Sequence, residues 1–135
     1  MHEFELLARV VEEVSGTSKE RLISKRRPRP LVELRMICSN TLKENHKLSV
    51  EKIGNLLNVN HATISYHLKT HKALMTQRDG KYKEMYDKIS QKYKLTLALS
   101  GENVKFELIE KKEKLQKMIE DIDSTLKLIE DNSAA

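Results

Sequence analysis

Tryptophan is absent from this 135-residue chain, cysteine occurs once, proline twice, and aromatic residues make up only 4%. A single thiol, Cys38, rules out an internal disulfide framework and fits a reducing compartment. It lies within an apolar helical stretch, the place of an inert, buried thiol. No apolar run reaches the roughly 20 residues that a membrane helix needs, and the N-terminus shows no signal-peptide pattern. A soluble, cytoplasmic protein is therefore expected. Catalytic patterns are missing too. There is no activated nucleophile, no pair of carboxylates set in a cleft, no metal-ligand cluster and no glycine-rich phosphate loop. Neither enzyme activity nor a cofactor, metal or small-molecule substrate is expected.

What the chain does have is charge. Charged residues make up 33%, above the usual quarter, and hydrophobic residues 39%, enough for one modest core. The net charge of +5 suits a polyanionic partner. Its distribution is uneven: Lys25, Arg26, Arg27 and Arg29 crowd into five positions, whereas Glu130 and Asp131 make the far end acidic.

Helical periodicity dominates the pattern. Phe4, Leu6, Leu7, Val10, Val11 and Val14 predict a helix over residues 2–14, closed by Ser15-Gly16. Thr17, with Glu20 three residues on, reads as a capping box opening a short helix. Ser24 to Pro30 carries both prolines and no periodicity, so it reads as an extended basic loop. A helix over about 31–44 follows, with Leu31, Leu34, Cys38 and Leu42 on one side. Ser49 is an N-cap for a helix over 50–57, Asn58-Val59 a tight turn, and Asn60 the start of a helix to about Met75. Asp79 can cap the next one, which carries Tyr82, Met85, Tyr86, Ile89 and Tyr93. Residues 94–108 leave two readings open. Alternating Leu95, Leu97, Leu99 and Val104, Phe106, Leu108 suggest a β-hairpin, while the Leu, Lys and Glu content favours two helices meeting at Gly101. Leu108, Leu115, Ile122 and Ile129 then repeat every seven residues, joined by Met118, Ile119 and Leu126, an amphipathic helix with a coiled-coil-like seam. That seam can pack on a second copy, as a homodimer through residues 102–131, or on its own domain.

Residues 48–69 have the anatomy of a helix-turn-helix. Ile53 and Leu57 anchor the first helix, Val59 plugs the turn, Ile64 and Leu68 anchor the second, and Gly54 leaves room for a close crossing. On the second helix Ile64, Leu68, His71 and Met75 form the inward stripe. Ala62, Ser65, Tyr66, Lys69 and Ala73 face outward, small at first and basic further along, as entry into a major groove requires. Ala62 can meet a thymine methyl and Lys69 a phosphate. Asn60 can pair with an adenine edge or serve as an N-cap, His61 or Thr63 can touch bases or backbone, and Tyr66 can instead lean on the core. His67 and His71, four apart, could suggest a metal pair, but a zinc site needs further ligands.

These residues resemble a family. Ser24-Lys25-Arg26-Arg27 running to Arg35, Leu48-Ser49 with Ile53-Gly54, and Asn60-His61-Ala62-Thr63-Ile64 make residues 10–89 similar to the C-terminal DNA-binding domain of the bacterial replication initiator DnaA, whose fold is like that of the Trp repressor. The last stretch matches the family's Asp-His-Thr/Ala-Thr-Val signature, with Asn60 in place of Asp. The resemblance implies that Asn60, His61, Ala62 and Thr63 read bases, that Arg27 enters the adjacent minor groove, that Arg35 and Lys43 contact phosphates, and that Val50 lies near the DNA backbone. Lys25, Arg26, Arg29 and Lys69 would add counterion release.

The resulting expectation is an all-α protein. Residues 1–93 form a Trp-repressor-like helix-turn-helix domain and residues 94–135 an extension with the amphipathic helix. The expected partner is double-stranded DNA, bound sequence-specifically without ATPase activity, by a transcription regulator or a replication-origin accessory protein. The alternative is a protein-interaction module on the same scaffold.

Overall fold

The computed structural model describes the backbone of residues 2–134 and the side chains of residues 3–101 and 104–132. Among these residues there are seven α-helices and no strand. They are α1 (His2–Ser15), α2 (Lys19–Leu22), α3 (Arg29–His46), α4 (Val50–Leu57), α5 (His61–Met75), α6 (Lys81–Leu99) and α7 (Glu102–Ala134). None is long and apolar enough to cross a membrane. The chain divides into two compact units, Met1–Thr96 and Leu97–Ala135.

The first unit is organised around α3, which packs against α1, α2, α4 and α5. Its core is drawn from every helix of the unit: Leu7 and Val11, Leu22, Ile37 and Leu42, Ile53 and Leu57, Ile64, and Ile89 with Tyr93. Burying an aliphatic side chain stabilises by roughly 1.5–3 kcal/mol, so each short helix is held by what it buries rather than by its own propensity. Cys38 is fully buried among these residues, which pushes its thiol up to about 12 and leaves it unreactive at neutral pH. The buried Thr41 hydroxyl has no hydrogen-bond partner among the described residues.

Long side chains fasten α6. His71 Nδ1 and the Tyr82 hydroxyl lie 2.8 Å apart, the Tyr86 hydroxyl donates to the Glu44 carboxylate, and the Tyr93 hydroxyl donates to the Glu3 carbonyl (3.2 Å) while meeting His46 Nε2. Each tyrosine has an apolar ring to bury and a polar tip to satisfy, and each ties α6 to a different part of the unit.

Helix ends follow local chemistry, with two departures from the sequence reading. Ser18, not Thr17, caps α2, its hydroxyl accepting from the Arg21 N–H. Thr17 instead donates its own N–H to Ser15 Oγ (3.2 Å). Helix α3 begins at Arg29 rather than Leu31, because Pro30 stands in the first turn, where a missing N–H costs nothing. Ser49 caps α4 by accepting from the Lys52 N–H. Of the two readings of residues 94–108, helix is what forms: α6 runs through Leu95, Leu97 and Leu99, and α7 starts after Ser100-Gly101. A two-stranded hairpin has no third strand to cover it, whereas Leu, Lys and Glu favour helix outright.

The second unit is dominated by α7, a 33-residue helix. Its apolar residues are exposed, Leu115 at 58% and Ile122 at 55% among them.

The helix-turn-helix depends on one backbone approach. A Cβ at Gly54 would stand 2.7 Å from the Val59 carbonyl oxygen, and the Gly54 carbonyl accepts from both the Asn58 and the Val59 N–H. Asn58 adopts a left-handed conformation (φ 59°), which asparagine tolerates better than most residues. We expect Gly54→Ala to destabilise the domain by about 1–3 kcal/mol, since backbone rather than a flexible side chain must yield. Urea unfolding of the two proteins measures this, and an unchanged midpoint would show that the turn can relax.

Candidate nucleic-acid interface

The basic loop has no regular structure to support it, yet it is held from beneath. Arg35, on α3, is 4% exposed and spends its guanidinium on three carbonyls, one at the end of α2 and two in the loop. Nε donates to Leu22 O at 2.7 Å, one terminal nitrogen to Arg26 O at 2.6 Å and the other to Ser24 O at 2.6 Å. Burial and the nearby charge of Arg27 pull this guanidinium below its ordinary pKa, but an arginine stays protonated regardless. The expected phosphate contact of Arg35 is thus corrected. Its donors point into the protein, and it positions the residues that face out.

A second set of ties joins the loop to the helix-turn-helix. Asn58 Nδ2 donates to Ile23 O (3.2 Å), and Lys25 Nζ lies 3.4 Å from Asn58 O. The left-handed residue that turns the chain between α4 and α5 is therefore also the residue that touches the basic segment. Ser24, Arg27, Asn58, Asn60, Thr63 and Tyr66 line a common groove of about 400 Å³. The arginine-bearing segment and the start of α5 lie side by side.

The outer face of α5 is open. His61, Ala62, Thr63 and Lys69 are exposed, Tyr66 is 58% exposed, and Ser65 is half-buried. Tyr66 therefore does not lean on the core. Asn60 caps the helix: its Oδ1 accepts from the Ala62 N–H at 2.8 Å. A bidentate pairing with adenine would need that oxygen as well, so any base contact of Asn60 falls chiefly to its Nδ2 donor.

On the inner face the structure revises the stripe. Ile64 and His67 are buried, whereas Leu68, His71 and Met75 are half-buried. His67 Nδ1 lies 2.9 Å from Ser39 Oγ, which donates its proton to Arg35 O (2.9 Å), so the imidazole donates to the serine. Asn40 Nδ2 reaches the His67 carbonyl (3.2 Å). His71 pairs with Tyr82, so the two histidines serve separate partners, and no metal-binding group of three or more occurs among the described residues. Burial, with the charge of Arg35, holds the His67 imidazole down to about 4.

The remaining candidates lie outside the groove. Arg29 sits in the first turn of α3 and pairs with Glu33 (3.2 Å), which offsets part of its charge. Arg26 is exposed, and its carbonyl is tied to Arg35. Lys43 is exposed, with Nζ 3.3 Å from Leu48 O, and Val50 is half-buried at the start of α4. The sequence reading missed Asn58 as a tie and the Ser39–His67 bridge between α3 and α5. The signal for Asn58 was present, an asparagine at a tight turn; a serine and a histidine 28 residues apart have none.

Residues 4–70 match the family described as the bacterial dnaA protein helix-turn-helix. The match runs from α1 into α5 and leaves α6 and α7 outside it. No curated protein and no solved structure matches the chain.

Two expectations follow from these ties. Removing the fork with Arg35→Ala is expected to destabilise the domain by about 2–4 kcal/mol, because hydrogen bonds from a charged donor are lost and three carbonyls lose their partner. Arg35→Lys should recover little, since one ammonium cannot reach three carbonyls. Equal stability of Arg35→Ala and the parent in urea would overturn the role. The second expectation concerns pH. Unfolded His67 takes up a proton near its ordinary 6.5 and the folded residue only near 4. Stability present at neutral pH is therefore lost as pH falls from 6.5 towards 4, by up to about 3 kcal/mol from this residue. In His67→Gln that part of the slope should disappear, and chemical denaturation at stepped pH measures it.

Proposed function

Residues 4–70 form a helix-turn-helix domain of the type found at the C-terminus of bacterial DnaA, and from that premise we propose that the protein binds double-stranded DNA sequence-specifically. The observation that carries the reading is the juxtaposition of Arg27 with the open face of α5 across one groove. A major groove accepts a helix, and an adjacent narrow minor groove attracts an arginine. One duplex can therefore meet both at once. In this reading Ala62 and Thr63 meet base edges, with His61 and the Asn60 amide beside them, and Arg27 enters the minor groove. Lys25, Arg26 and Lys69 contact phosphates, with Arg29 and Lys43 as weaker contributors, while Ser65, Tyr66 and Val50 border the backbone. Arg35 acts from behind.

The proposed role is non-enzymatic and cytoplasmic, that of a transcription regulator or an origin-binding accessory factor. The four glycines, Gly16, Gly54, Gly80 and Gly101, are too dispersed to build a phosphate loop, so the proposed action on DNA does not draw on nucleotide hydrolysis by this chain. A homodimer through residues 102–131 completes the reading, because paired half-sites are the usual way for a small helix-turn-helix protein to gain specificity.

Titrating a duplex chosen by binding-site selection at two salt concentrations tests this proposal. Binding is expected to be micromolar or tighter and to weaken steeply with salt, log K falling by about 0.9 per phosphate contacted for each log unit of salt. Arg27→Ala should weaken binding to the selected site by roughly 1–3 kcal/mol, whereas Lys69→Ala should weaken selected and random duplexes alike. Unchanged binding by Arg27→Ala would remove the minor-groove assignment. Failure to bind any duplex at low salt would favour the runner-up, a protein-contact module whose exposed surface is the seam of α7.

A further inference from the structure

We propose that two copies of the chain pair through α7 in antiparallel orientation, which rests on the dimer reading above and adds its direction and register. The stripe formed by Leu108, Leu115, Ile119, Ile122 and Leu126 is 38–58% exposed and keeps the three-and-four spacing of a coiled-coil seam. Lys105 and Lys112 occupy the two remaining seam positions towards the N-terminal end. A second α7 covers such a stripe along its whole length.

The charges say which way the second copy runs. Residues 104–117 hold five lysines against three glutamates, while residues 118–131 hold five acids against one lysine, Lys127. No basic residue stands in the last turn. This order opposes the helix macrodipole, which favours acids near the N-terminus and bases near the C-terminus. A single helix gains nothing from it. An antiparallel partner does, because each basic half then lies along an acidic half, whereas a parallel partner sets like charge on like.

The register follows from seam and charge together. With Leu108 facing the partner's Leu126 and Leu115 facing the partner's Ile119, apolar layers align about a two-fold axis at residue 117. The same alignment sets Lys112 opposite the partner's Ile122 and next to its Asp123, and Lys105 opposite the partner's Ile129 and next to its Glu130. All four of these charged residues are exposed in the single chain. The lysines that interrupt the seam thus gain acids at the seam's edge, a device that fixes orientation as buried polar and flanking charged residues do in other coiled coils.

Full-length protein tests the proposal in two steps. Sedimentation equilibrium should show a dimer; a monomer throughout the micromolar range overturns both the dimer reading and this inference, while leaving salt-dependent duplex binding to be judged separately. For orientation, a spin label at Lys127→Cys in both copies reports the distance between them, since buried Cys38 stays unlabelled. Antiparallel pairing puts the two labels about 30 Å apart along the axis, from a 1.5 Å rise per residue; parallel pairing puts them on the order of 10–15 Å apart, which overturns the inference and leaves the dimer standing. As an independent check, Lys105→Glu with Lys112→Glu should weaken association at least ten-fold, and adding Asp123→Lys with Glu130→Lys should restore it. Failure of the fourfold variant to recover also overturns the proposed register.

Discussion

A buried guanidinium is the element on which this domain turns. Arg35 is buried on α3 and donates to three carbonyl oxygens, that of Leu22 at the end of α2 and those of Ser24 and Arg26 in the loop. Loop carbonyls have no ladder to accept from, and an irregular segment rich in like charges would otherwise spread into solvent. The planar fork of arginine satisfies two of them and the last carbonyl of α2 from one point, and so fixes the loop's path. Its positive charge, beside that of Arg27, adds to the repulsion within the segment, and its hydrogen bonds to the carbonyls hold the segment against it.

The other half of the interface is fixed by backbone geometry. Gly54 lets the turn close onto α4, and Asn58 takes the left-handed conformation that redirects the chain into α5. Because Asn58 also donates to Ile23, the turn and the loop are joined directly as well as through α3. His67 and Ser39 lock α5 to α3 from the inner side. Rigid placement of a few exposed side chains is what recognition by a helix needs, and here the exposed residues of α5 stand on a face whose opposite side is buried.

Much of this was legible in the sequence. The limits of α4, the turn at Asn58-Val59 and the role of Gly54 follow from spacing and residue type, because capping and close approach are local demands. The open face of α5 also follows from helical periodicity. Tertiary partners were harder to foresee. Arg35 reads as one more surface cation because its value lies in three carbonyls 9 to 13 residues earlier, which no composition rule marks. His67 was set aside for the same reason: its burial depends on Ser39, on another helix. Thr17 and Ser18 differ by one residue as caps, and only the backbone torsions separate them. In the segment around Gly101, period-two alternation competed with helix propensity, and propensity prevailed where no neighbouring strand was available.

The tie between core and loop has a thermodynamic corollary. Since one buried side chain of α3 is also the floor of the basic segment, whatever immobilises that segment from outside also raises the free energy of opening the interior. By linkage, a ligand bound to the folded form alone adds RT ln(1 + [L]/Kd) to the unfolding free energy. Occupancy of the groove and slow amide exchange in the buried middle of α3 should therefore rise and fall together, so that a buried helix becomes a reporter of events at the surface.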